Sequence, residues 1–142
     1  MDNICIDSLD EFREYIKNLD ISLAHLEQLG IIFIVVGYLD FYDAANLDIL
    51  EALEINNTGK HPDEELLYGQ FLILIGYILL WIVSVDRVNE KSSRNSNDNE
   101  NFYIPAYVQV ADSYLLSVLA HAMRLHAFYI IAETNKNEEI IE

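Results

Sequence analysis

LLYGQFLILIGYILLWIVSV, residues 66–85, holds a single strongly polar side chain, Gln70. A helix that is apolar nearly all round has to be enclosed on most sides, by protein or by lipid. Upstream, His61-Pro62-Asp63-Glu64-Glu65 reads as its start, with proline in the first turn and carboxylates at the positive end of the helix dipole. The polar members of this helix form one line at seven-residue intervals, Asp63, Gln70, Tyr77, Ser84 and Lys91. Its other faces are apolar between Leu66 and Val85.

Two further long helices are expected around it. The chain from Ile21 to Ile55 lacks proline and stops at Asn56-Asn57-Thr58-Gly59, where Gly59 suits a left-handed C-terminal cap. Pro105 opens a last helix that should reach about Asn135. Ser8-Leu9-Asp10-Glu11 fits a capping box, which predicts a short separate helix over 8–19, with Asp20 capping the next one. Residues 89–101, NEKSSRNSNDNEN, contain no apolar side chain and read as a polar linker loop, and 136–142 as a frayed tail. The fold class that follows is all-α: one domain over 1–142, three long helices in an up-down-up bundle with a short N-terminal helix, completed by oligomerisation.

The strongest internal pattern is a ridge of small residues. Gly30-Ile-Ile-Phe-Ile-Val-Val-Gly37-Tyr38 and Gly69-Gln-Phe-Leu-Ile-Leu-Ile-Gly76-Tyr77 share the same glycine spacing, and the first continues to Ala44. The last helix has Ala106, Ser113, Ala120, Ala127 and Thr134 at strict sevens. Glycine inside a helix costs about 1 kcal/mol relative to alanine, so its repetition in register requires a reason. Two turns separate successive members, so each set shares a face on which helix axes can approach closely, with a left-handed supercoil absorbing the drift. Ancient duplication is the rival explanation for the match between the first two segments.

Charge narrows the function classes. The chain carries 24 acidic against 8 basic residues, a formal net charge of −16. Such a chain repels nucleic-acid backbones and anionic surfaces, and favours basic protein partners. Between Asn18 and Gly59 there is no Lys or Arg. Asp40, Asp43, Asp48, Glu51 and Glu54 therefore form the expected partner-binding acidic face, either a solvated surface or a dock for a basic protein. A sharper form of the second reading is an inhibitor that imitates nucleic-acid charge.

Chemistry-bearing motifs are sparse. Cys5 is the one cysteine and reads as a small hydrophobe in an acidic stretch. His121 and His126 are five apart, which puts them on different faces, unlike the i, i+4 pair of a zinc helix. His121 instead joins an aromatic line with Tyr107, Tyr114 and Phe128, as a core histidine bonded to a tyrosine. Asp112 and Arg124 are isolated charges in an apolar helix, each expected to find a partner on another helix or chain. With no phosphate loop, nucleophile elbow or metal cluster in the sequence, the expected activity is non-enzymatic, with no cofactor and no metal.

Residues 66–85 are long enough to cross a bilayer. Their flanks are acidic, however, and Lys and Arg are too sparse to give a clear positive-inside signal along the sequence. The apolar run of the second helix covers only Leu29–Leu39, and the last helix is interrupted by Asp112, Arg124 and two histidines. The sequence therefore favours a cytoplasmic homo-oligomeric interaction module, with a small membrane-associated helical protein anchored by 66–85 as the alternative.

Overall fold

The computed structural model describes residues 2–97 and 100–139. Three long helices account for nearly all of them: α1 (Asp2–Ala52), α2 (Pro62–Asn97) and α3 (Ile104–Glu139). The central element is α2, which packs against α1 on one side and α3 on the other. No strand occurs among the described residues.

The expected break near residue 20 is absent, and α1 runs unbroken for 51 residues, about 75 Å. Nothing between Asp2 and Leu29 is a helix breaker, and Asp20 has a different employment from capping. Its carboxylate reaches across to Arg87 (3.4 Å) and Arg94 (3.7 Å) on α2. Continuing the helix also buries Ile16 and Leu23 on the line that holds Gly30, Gly37 and Ala44. A cap at Asp20 would forfeit both gains.

The C-terminus of α1 is closed by Glu54, not by Gly59. Glu54 takes a left-handed φ of 58°. Around it, Ile55 N–H donates to Leu50 O (2.9 Å) and Glu54 N–H to Glu51 O (2.9 Å), the paired bonds of a Schellman cap. Gly59 is left-handed too, at φ 72°, but it serves the following turn. There Asn56 ties the chain together, donating to Glu51 Oε1 and Lys60 O while accepting from the Thr58 amide and hydroxyl. Pro62 then opens α2, as its sequence position predicts.

The expected linker over 89–101 is helical as far as Asn97. Its polar side chains are held by one another in place of an apolar core. Glu90, only 2% exposed, accepts from Lys91 and Arg94. Arg94 also bonds Glu100 at 2.6 Å. Lys91 and Arg94 both lie over the Phe102 ring, at 4.9 and 5.0 Å from its centre. Asn95 fastens the connection by exchanging two hydrogen bonds with the Phe102 backbone. At the far end, α3 extends to Glu139, so the helix covers 136–139 of the expected frayed tail, and 140–142 lie outside the described residues.

Candidate interaction surfaces: two helix seams and an apolar belt

The first seam joins α1 to α2 through glycine. Gly37 faces Gly69 and Gly30 faces Gly76, so residue numbers rise along one helix as they fall along the other. The approach is a backbone contact. A Cβ placed on Gly76 would lie 2.5 Å from the Gly30 carbonyl oxygen and from Ile34 Cγ1. One on Gly69 would lie 2.6 Å from the Gly37 oxygen and 2.9 Å from Asp40 Cβ, and one on Gly37 would overlap Gly69 O and Ile73. Gly30 is the roomiest, its nearest neighbour being Gly76 O at 3.0 Å. Ala44 is fully buried on the same line. Glycine here removes the side chains that would hold the axes apart, and lets each carbonyl meet the opposite Cα, an arrangement that adds weak Cα–H···O attraction.

The second seam, between α2 and α3, is made of large side chains. The polar line of α2 supplies it. Gln70, wholly buried, donates to His121 O at 3.0 Å and lies 2.9 Å from His121 Nδ1. The His121 ring stacks on Tyr77 at 4.6 Å, and Tyr77 meets Tyr114 at 6.5 Å. Asn135 donates to Asp63, and Lys136 pairs with Glu64 at 2.8 Å near the other end. From α3 the positions turned to this seam include Ala111, Tyr114, Val118, His121, Leu125, Phe128 and Ala132, all buried or half-buried and alternating by three and four. His121 is thus a core residue partnered by a glutamine and stacked on a tyrosine. The expected partner was a tyrosine hydroxyl.

This geometry corrects the α3 half of the small-residue ridge. Ala106, Ser113, Ala120 and Ala127 are exposed, as is Thr134. The α2 face opposite α3 bears Gln70 and Tyr77, which need aromatic and polar partners, so α3 turns its aromatic line inward and its small residues out. The glycines of α1 and α2 are brought together; the α3 alanines do not join them.

The five acidic residues are likewise not one face. At 100° per residue, Asp43 and Asp48 point about 140° apart. Asp40 is half-buried beside Gly69, in the seam. Glu51 takes part in the turn through Asn56 and lies 3.9 Å from His61. Glu54 is the helix cap. Asp43 and Asp48 are exposed helical carboxylates with no such role in the turn or the seam. Nearby, Lys60 bonds Glu65 at 2.6 Å, a contact that holds its ammonium above the usual lysine range. Among the described residues no group of three metal-ligating side chains comes together.

What the arrangement leaves open is apolar. The accessible surface is 9792 Å², against about 7,500 Å² for a compact protein of this mass. Exposed residues include Ile32, Val35, Leu39, Tyr42 and Ile49 along α1, and Leu116, Leu119, Met123 and Ile130 along α3. All three helices are long and apolar enough, by length and composition, to cross a membrane, with mean hydropathies of 1.7, 2.2 and 1.5 in their most apolar windows. Those windows are only 11% buried in α1 and α3. Read helix by helix, the sequence offers residues 66–85 as the one possible span, because Glu27, Asp40, Asp112 and Arg124 shorten the uninterrupted runs of the other two. In the structure Glu27 is bonded to Arg87 at 3.1 Å and Asp40 is tucked against α2.

The contacts of the two seams fix which residues share a level along the bundle, and they sort the aromatics. Tyr15, Tyr103 and Tyr107 lie towards one end, beside the Asp20–Arg87 pair, with Trp81 set inward of them; Tyr38, Tyr42, Tyr68 and Tyr129 lie towards the other. On α1 and α3 the two groups are roughly 33–40 Å apart. The remaining tyrosines, Tyr77 and Tyr114, sit between the groups and face the α2–α3 seam. Comparison with family models, curated proteins and solved structures finds no match for this chain.

Proposed function

We propose that this chain is an integral membrane protein, a non-enzymatic three-helix interaction module set in a bilayer in up-down-up order. The observation that carries the reading is the belt: exposed apolar residues on all three helices, bounded by tyrosines at two levels. A hydrocarbon core about 30 Å thick fits within this span, and amphipathic aromatic rings partition to its two interfaces. The close glycine seam supports the same conclusion. In lipid there is no hydrophobic gain from packing helix on helix, so association depends on close backbone approach and interhelical hydrogen bonds. The Gly37–Gly69 and Gln70–His121 contacts supply both.

Asp112 and Arg124 favour an added feature, a second copy. Both are exposed on α3 within the belt, where a charge facing lipid is costly and calls for a protein or aqueous neighbour. A soluble oligomer that buries the belt against other copies is the second reading, and those same charges are what favour it.

The two are separated by alkaline carbonate extraction of membranes from expressing cells, followed by flotation. The proposed protein stays with the floating lipid. Release into the aqueous supernatant as an oligomer would leave only the second reading standing.

A further inference from the structure

Resting on the membrane reading, we propose a fixed orientation in the bilayer: the end that holds Arg13, Lys17 and the α2–α3 connection faces the cytoplasm. The folded arrangement carries this inference where the linear sequence did not. Of the 8 Lys and Arg residues, Arg13 and Lys17 lie on the early turns of α1, and Arg87, Lys91 and Arg94 on the last turns of α2. These turns are brought to one level by the Asp20 contacts with Arg87, Lys91 and Arg94. At the opposite end stand Lys60 in the turn and Lys136 near the end of α3, while Arg124 lies within the belt.

Cationic residues close to the ends of spanning segments are retained on the cytoplasmic side, and carboxylates contribute little to that bias. This second point decides the matter here. Asp20, Glu27, Glu90 and Glu100 pair with these cations, and with Asp10, Glu11, Glu14 and Asp86 nearby the carboxylates outnumber them, so net charge alone hides the asymmetry that the Lys and Arg positions display. The Asn56–His61 turn is presented on the opposite side.

The test places single cysteines at the two ends of α2, in full-length protein carrying Cys5→Ser. Asn57→Cys marks the turn and Ser96→Cys the cationic end; both positions are exposed. A membrane-impermeant maleimide applied to intact bacterial cells should label Asn57→Cys, with Ser96→Cys labelled only after permeabilisation. The reversed pattern overturns the orientation and leaves the membrane reading intact. Labelling of both sites from the same side overturns both, because α2 then does not cross.

Discussion

The two faces of α2 solve the same problem by opposite means. Towards α1 it offers Gly69 and Gly76, and the helices meet backbone to backbone with no space for a methyl group. Towards α3 it offers Gln70 and Tyr77, and the helices are held apart and joined by a stack and buried hydrogen bonds. One seam derives its attraction from contact area and the other from specific partners. The difference teaches that a helix with almost no polar surface can still distinguish its neighbours: the glycine line favours a partner whose backbone can come close, and a buried amide selects the register in which His121 arrives.

The largest predicted effect breaks the first seam. Gly76→Leu meets the Gly30 carbonyl and Ile34, and should destabilise the bundle by roughly 1–3 kcal/mol through overpacking, read as a lower midpoint in thermal unfolding in detergent. A midpoint unchanged from the parent would show that the glycines are not in contact. A finer version stays within the seam. Gly30→Ala has 3.0 Å to its nearest neighbour and also gains about 1 kcal/mol in helix propensity, so it should be tolerated far better than Gly76→Ala. Equal losses from the two alanines would contradict the gradient of space along the seam.

The second seam should yield less. Gln70→Leu removes the bonds to His121 while keeping the volume apolar, and should cost about 1 kcal/mol or less. Because the lost bonds set register, cross-linking between cysteines at Asp63 and Asn135 should fall more than stability does. Retention of full cross-linking would assign Gln70 a passive place in the seam. Smallest of all, Ala120→Leu on the exposed side of α3 should change monomer stability by no more than about 0.5 kcal/mol. A large loss in the dispersed monomer would show that α3 packs through its small residues after all. A loss confined to the native assembly would place a second copy on that line.

Much of the fold was legible in the sequence because it is written in sevens. The glycine interval from Gly30 to Gly37 and from Gly69 to Gly76 marks one seam, and the polar interval Asp63, Gln70, Tyr77 marks the other, though its partner face could not be named. The α3 ridge misled because small residues at sevens look alike whether a helix or open space lies opposite. What decides between them is Gln70, a residue on another helix. The helix ends resisted for a related reason: Asp20 and Glu90 are polar residues that read as a cap and as part of a linker. Asp20's long-range partners, Arg87, Lys91 and Arg94, become neighbours only after folding, and Glu90, bonded to Lys91 and Arg94 on its own helix, is buried only in the folded bundle. The membrane signal was diluted in the same way, since Glu27 and Asp40 interrupt an apolar run in one dimension and are drawn towards α2 in three.

The central claim is that the belt faces hydrocarbon, and Trp81 reports on it directly. It is the one tryptophan of the chain, half-buried on α2, about six residues and so roughly 9 Å from the middle of the apolar run. Reconstituted in vesicles made with lipids brominated at successive acyl positions, its fluorescence should be quenched most strongly by bromines at intermediate depth and hardly at all by an aqueous quencher. Quenching by the aqueous reagent with no dependence on bromine depth would place the belt outside the bilayer and contradict the account.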